Sequence, residues 1–272
     1  RPVGDAMATT IWGTSSSWTL TALPLFVWMG EILFRTKLSE NLFKGLSPWM
    51  QKLPGGLIHV NVVGCALFAA ISGSSAATVA TVGKMSIPEL RKRNYPEKIL
   101  LGSLAGSGTL GLLIPPSIIL IIYGVAVQES IAKLFIAGII PGIMIALIFM
   151  SYVVIWSLIN KKDMPKIIEE FSFLEKIKRS RQLLPVILLI LGVIGSIYTG
   201  IATATEAASL GVVGALILSY FQKSLTLDTF KSSLLGATKT SCMIAFILAG
   251  STFLSLAMGF TGLPRNLAIW IQ

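Results

Sequence analysis

Long apolar runs alternate with short basic segments along the whole chain. Residues 17–34, 57–83, 98–127, 131–159, 183–203, 206–221 and 238–260 are apolar stretches approaching the roughly 20 residues a helix needs to cross a hydrocarbon core. No stretch alternates with the two-residue period of a barrel strand. The pattern therefore predicts an all-α integral membrane protein. Between the first two runs, Leu38, Leu42, Phe43, Leu46, Trp49, Met50 and Leu53 recur at near-helical spacing. This predicts an amphipathic helix over residues 38–53, lying in the membrane surface. Trp18 and Trp28 read as interfacial anchors, Pro24 as a kink and Pro141-Gly142 as a bend. Residues 160–182 are the one long hydrophilic loop and predict a short amphipathic cytoplasmic helix.

Two runs are interrupted where a spanning helix would carry Leu and Ile. The first holds Ser72-Gly73-Ser74-Ser75-Ala76-Ala77-Thr78 at its centre. Its flanks are both basic, with Arg35, Lys37, Lys44 and Lys52 before it and Lys84, Arg91, Lys92, Arg93 and Lys98 after it. Short loops rich in Lys and Arg stay on the cytoplasmic side, so residues 57–83 are expected to enter the membrane and return to the same face as a re-entrant hairpin. The second interruption runs from Ala105-Gly106-Ser107-Gly108-Thr109 to Pro115-Pro116. Each Gly there lowers helix propensity by about 1 kcal/mol, and Pro removes a ladder donor, which predicts a helix broken near mid-bilayer. With the basic segments 35–56, 84–98, 160–182 and 222–239 all placed inside, only Arg1, Lys133 and Arg265 of the 22 Lys and Arg fall elsewhere. A full crossing by residues 57–83 would split that bias.

Composition sharpens the class. Only 12% of the 272 residues are charged, against about 25% in an ordinary soluble domain. The net charge of +10 sits in short loops and acts as a topology signal, with anionic lipid rather than nucleic acid as its counterpart. Cys65 and Cys242 both lie in apolar segments, so neither a disulfide framework nor a metal site is expected. The chain opens at Arg1-Pro2-Val3 and reads as starting partway through a longer protein. An internal echo links Thr36-Lys37-Leu38-Ser39-Glu40-Asn41-Leu42 to Thr261-Gly262-Leu263-Pro264-Arg265-Asn266-Leu267, followed by Trp49-Met50-Gln51 and Trp270-Ile271-Gln272. Five predicted crossings separate the copies, which would place them on opposite faces as an inverted repeat.

Hydroxyls and freed carbonyls at two helix breaks supply neutral oxygens suited to a weakly charged hard cation such as Na⁺, and broken-helix N-termini favour a carboxylate. The candidate sodium ligands are Ser72, Gly73, Ser74, Ser75, Gly106, Ser107, Gly108, Thr109 and Pro115. Asn61, Ala76, Thr78 and Pro116 are the candidate substrate contacts. The competing account is that Gly and Ser only permit close helix packing. His59 near the membrane edge reads as structural, and Glu206 either as an intramembrane acid or as a helix-terminal one. Glu31 is placed to snorkel or to pair with Arg35.

ISGSSAATVATVGKMSIPELRKRNYP followed by GSLAGSGTLGLLIPPSIILIIYG, with TALPLFVWMGEI and TATEAASLGVVGALI, resembles the large membrane subunit of the tripartite ATP-independent periplasmic (TRAP) transporters. The resemblance implies a Na⁺-coupled permease of the bacterial inner membrane, moving like an elevator. It also implies a small membrane subunit and a periplasmic binding protein that delivers an organic acid, such as a C4-dicarboxylate or a sialic or other sugar acid. It implies that Ser72–Thr78 faces Gly106–Pro116, and that the family's second hairpin and second broken helix fall outside this sequence. The expected organisation is residues 1–56 as scaffold span and arm, 57–127 as half of a transport domain, 128–182 as connecting span and basic loop, and 183–272 as second-repeat scaffold. Two other classes compete: an intramembrane hydrolase using Ser and His59, and a non-transporting membrane scaffold.

Overall fold

Apolar runs without water to satisfy their backbone close into helix, and Gly, Pro and hydroxyl positions decide where each helix stops. The computed structural model describes residues 3–36, 38–165, 171–181 and 183–271. Among them it holds thirteen α-helices and no strand: α1 (Val3–Ser15), α2 (Ala22–Phe34), α3 (Leu38–Met50), α4 (His59–Ser72), α5 (Ser75–Lys92), α6 (Glu97–Gly108), α7 (Ile118–Val127), α8 (Ile131–Ile159), α9 (Phe173–Ser180), α10 (Leu184–Tyr198), α11 (Ala204–Phe221), α12 (Leu227–Thr261) and α13 (Leu263–Ile271). The sequence readings at Arg1, Pro2, Lys37, Lys166 and Gln272 lie outside the described residues.

Helices α8, α11 and α12 are each long and apolar enough to cross a bilayer. Two further pairs qualify as bent spans, α1 with residues Trp18–Phe34 at 53° and α9 with α10 at 57°. Along α8 an outward band of Ile140, Ile143, Met144, Leu147, Ile148 and Ile155 stays exposed, as a lipid-facing surface requires. The central helix is α2, which packs on α4, α11 and α12. On its inward face Leu23, Phe26, Ile32 and Leu33 are each at most 2% exposed.

Several expectations are corrected by this packing. A helix, α1, precedes residue 17 where none was predicted. Pro24 sits in the first turn of α2, where its missing N–H costs no ladder bond, so it makes no kink. Trp28 is tied to a neighbouring helix: its Nε1 donates to Ser233 Oγ at 3.3 Å, and its ring lies edge-on to Phe230 of α12. The arm helix α3 does not rest on lipid through its apolar face. Leu42, Phe43 and Leu46 are buried in the protein core, because α4 and α5 lie against them. Residues 84–92 are not loop but the second half of α5, running through Pro88, with Ser86 and Leu90 fully buried and Lys84, Arg91 and Lys92 facing out. Similarly α12 begins at Leu227 and carries Lys231 and Lys239 within it. At about 1.5 Å per residue its 35 residues exceed a ~30 Å hydrocarbon core, so its basic turns stand beyond the apolar ones. Pro141 lies inside the continuous helix α8.

The internal echo has a structural counterpart. The short amphipathic helices α3 and α13 begin at the corresponding residues, Leu38 and Leu263. Glu206 takes its milder role. Its Oε2 accepts from the Thr203 N–H and from Thr203 Oγ1, both at 2.8 Å, while Thr203 Oγ1 accepts from the Glu206 N–H. This is a capping box that closes the N-terminus of α11. Thr203→Ala should lower stability by about 1 kcal/mol, and Thr203→Ser should restore most of it. Thermal unfolding of the purified permease in detergent measures both.

Candidate ion and substrate site

Helix α4 ends at Ser72 because Gly73 takes φ +59°, the left-handed conformation that terminates helices. Its N–H caps the Ala69 carbonyl at 2.9 Å. Ser74 then turns extended and caps α5, accepting from the Ala77 N–H. The two helices fold back on each other, with Gly64 of α4 facing Val82 of α5. At the base the Leu57 N–H donates to Tyr95 Oη at 3.0 Å, closing the hairpin on the loop that leads to α6. Residues 68–80 are therefore not one continuous helix, as the scaffold reading would require.

The second break lies directly against this tip. Helix α6 gives way at Gly108 to a 3-10 turn, Thr109–Leu112, and α7 starts only at Ile118. The Ile118 N–H donates to the Gly73 carbonyl at 3.2 Å. Gly111 lies so close to the Ser74–Ser75 peptide that a Cβ on it would sit 2.8 Å from Ser74 C and Ser75 N. Gly108 instead packs against a side chain, the Cγ2 methyl of Val79 on α5. Helix α2 covers the tip from the other side, where a Cβ on Gly30 would sit 2.9 Å from Ser72 Cα. Gly111 and Gly30, from two different elements, thus allow main chain to approach main chain, and Gly108 makes room for Val79.

Inside the tip, Ser72 Oγ lies 3.1 Å from Thr78 Oγ1 and accepts from the Ser74 N–H. Ser75 Oγ is buried with no hydrogen-bond partner, and so is Asn61 Oδ1. The neutral oxygens gathered here are the donor chemistry that Na⁺ accepts, and a buried hydroxyl without a partner is the feature a ligand would explain.

The predicted residues divide into three groups. Ser72, Gly73, Ser74, Ser75, Thr78, Gly108 and Pro116 belong to the junction of tip and break or to its immediate walls, while Pro115 lies in the break and packs toward Gly138 of α8. Ser107 and Asn61 sit between α4 and α6: the Asn61 amide donates to Leu100 O and Ser103 Oγ, and Ser107 Oγ lies 2.6 Å from Ser103 O and 3.4 Å from Asn61 O. Gly106 packs against Phe149 of α8, while Thr109 and Ala76 face outward, with Thr109 Oγ1 bonded to Gly106 O. Sequence reasoning passed over Gly30, Gly111 and Ser117. The last is fully buried with its hydroxyl on Leu112 O at 2.6 Å. Gly111 carried a signal, being a third Gly in the interrupted run; Gly30 carried none beyond its place in a span.

His59 offers no support for hydrolysis. Its Nε2 is held 2.8 Å from the Pro54 carbonyl, and α4 separates it from Ser72 by about 20 Å of helix. No His, Cys, Asp and Glu grouping fit for a metal ion occurs among the described residues.

Comparison with known proteins decides the family. The model of the tripartite ATP-independent periplasmic transporter DctM component matches residues 2–272. The chain belongs to this family. It is 34% identical over 267 residues to the C4-dicarboxylate TRAP transporter large permease protein DctM of Pseudomonas aeruginosa, covering 98% of this chain and 62% of that protein. To the sialic acid TRAP transporter large permease protein SiaM of Vibrio cholerae it is 33% identical over 259 residues, covering 94% and 60%. To the 2,3-diketo-L-gulonate TRAP transporter large permease protein YiaN of Escherichia coli it is 31% identical over 274 residues, covering 98% and 62%. The chain thus spans about three-fifths of the length of these curated relatives. DctM components are parts of transporters, not enzymes, and the apolar helices of this member make it a multi-pass membrane protein.

Proposed function

We propose that this DctM-family chain forms the first half of the transport pathway in a sodium-coupled permease for a small organic acid. The supporting observation is the main-chain junction of tip and break, where Gly73 meets Ile118 and Gly111 meets Ser74–Ser75 beside the unpartnered hydroxyl of Ser75. Non-helical backbone at membrane depth is stable only inside protein or beside a water-filled cavity. That condition favours residues 57–83 as a re-entrant hairpin, with the basic segments on the cytoplasmic face of the inner membrane. Ser72, Ser74, Ser75 and nearby carbonyls would hold Na⁺, and the helix N-terminus at Ser75 would favour a carboxylate. The hairpin and α6–α7 would travel as one body past α2 in an elevator motion. A periplasmic binding protein would deliver the acid, and a small membrane subunit would complete the permease. The relatives' carboxylate substrates, a C4-dicarboxylate and sialic acid among them, support the same substrate class.

The test is uptake of candidate acids into vesicles holding the full-length permease with its small subunit and binding protein. Uptake should require Na⁺, and Ser75→Ala should raise the Na⁺ concentration for half-maximal rate about tenfold, a ~1.4 kcal/mol loss. Uptake that proceeds equally without Na⁺ would overturn the ion assignment.

A further inference from the structure

A second feature lies away from the junction, where the arm helix meets the hairpin's returning helix. Here α2, α3, α5 and the segment around α9 enclose a cleft of about 750 Å³. Arg35, Lys44, Lys84, Arg93 and Arg179 line it, with Glu89 as the one acid among the described lining residues. Among the described carboxylates, Glu31 bonds Arg35 at 2.9 Å, and Glu89 lies 3.9 Å from Arg93. Arg179 is held in place by stacking over the Phe171 ring, 4.2 Å from its centre. A planar guanidinium fixed in this way presents its donors as a fork, the geometry that binds phosphate oxygens.

The wall formed by α9 carries a separate signal. Its basic residues Lys176, Lys178 and Arg179 share eight residues with Phe173, Leu174 and Ile177, which are 66%, 79% and 50% exposed. A basic helix with uncovered apolar side chains is the composition of an element lying in a membrane surface. It is anchored to α3 by the Trp49 Nε1 bond to Ser180 Oγ at 2.7 Å, by Ser180 Oγ on the Gly45 carbonyl, and by Lys176 over the Trp49 ring. Charge and apolar surface therefore meet at one place on the fold.

We propose that this cleft binds the phosphate headgroup of an anionic phospholipid, whose acyl chains run beside the exposed apolar residues of α9. A soluble phosphate or carboxylate would meet Lys84 and Arg179 but would leave that apolar surface without a role. Basic pockets between membrane helices favour such headgroups on general electrostatic grounds. Because α3 and α5 both line the cleft, a bound lipid would bridge the arm to the hairpin.

The experiment uses the full-length permease with its small subunit in detergent, following thermal unfolding during titration with lipid. Dioleoylphosphatidylglycerol should raise the melting temperature, and dioleoylphosphatidylcholine should not. The double variant Lys84→Gln with Arg179→Gln should weaken the phosphatidylglycerol response about thirtyfold, and Lys84→Gln alone about fivefold. Lys161→Gln with Lys162→Gln should titrate like the parent. If the double variant unfolds early without lipid, the single Lys84→Gln change, at an exposed position, carries the comparison. The proposal fails if Lys84→Gln titrates like the parent. It also fails if inorganic phosphate or glycerol 3-phosphate reproduces the shift at the same concentration, since the cleft would then be a soluble-anion site.

Discussion

A permease carrying Gly73→Val should lose uptake and unfold at a markedly lower temperature. Two independent penalties coincide at this residue. Its φ of +59° costs a residue with a Cβ about 1–2 kcal/mol, and β-branching makes that conformation worse. The added Cβ would also stand 2.6 Å from the Pro116 carbonyl oxygen and 3.1 Å from the Ile118 nitrogen. Both contacts are with backbone, which cannot swing aside as the end of a side chain can. Relief requires the tip and the break to separate, breaking the Gly73 O to Ile118 N–H bond at a further cost of about 1 kcal/mol. The expected total is roughly 3 kcal/mol, with Gly73→Ala milder and of the same sign. Gly102, whose added Cβ would meet nothing within 4 Å, is the control. Gly102→Ala lies within α6 and should be neutral or stabilising by up to ~1 kcal/mol. Uptake and melting temperature report on both, and a Gly73→Val protein with normal values of each would mean that the tip does not depend on this approach.

The second large effect is expected at Phe135→Ala. The Phe135 side chain is 1% exposed, and its ring meets Phe26 edge-on with centroids 5.9 Å apart. Its own carbonyl accepts from Tyr198 Oη at 3.3 Å, so α2, α8 and α10 come together around it. Removing a buried phenyl leaves a cavity and costs about 3–5 kcal/mol. Phe135→Leu, which refills much of the volume, should cost less than half as much. Chemical or thermal unfolding in detergent distinguishes the two, and an unchanged Phe135→Ala protein would show the three-helix contact to be dispensable.

Both predictions turn on features that sequence reading treats unequally. The break at Gly73–Ser74 and the interruption from Gly106 to Pro116 were legible because they violate local rules: glycine, proline and hydroxyls stand where a spanning helix wants aliphatic residues. All-helical membrane architecture was legible for the opposite reason, since long apolar runs without alternation admit little else. The arm helix α3 was placed well in sequence but assigned the wrong environment. Its apolar stripe of Leu42, Phe43 and Leu46 reads the same whether it faces lipid or, as here, protein. The partner of Trp28 was not legible either, because its indole N–H bonds Ser233, far away in the sequence. Lys84, Arg91 and Lys92 suggested a loop, although charges outside a helix are compatible with buried Ser86 and Leu90 on its inner face. Gly30 was beyond reach: only the close approach of Ser72 distinguishes it from any glycine within a span.

The link from the Gly73 carbonyl to the Ile118 amide has an experimental consequence. Both atoms survive every conventional substitution of their neighbours, so scanning mutagenesis would pass over this stitch unless it happened to jam it. Semisynthesis that puts an ester oxygen in place of that one nitrogen would delete the donor while sparing every side chain. It is the chemical edit suited to asking whether the two segments travel as a unit.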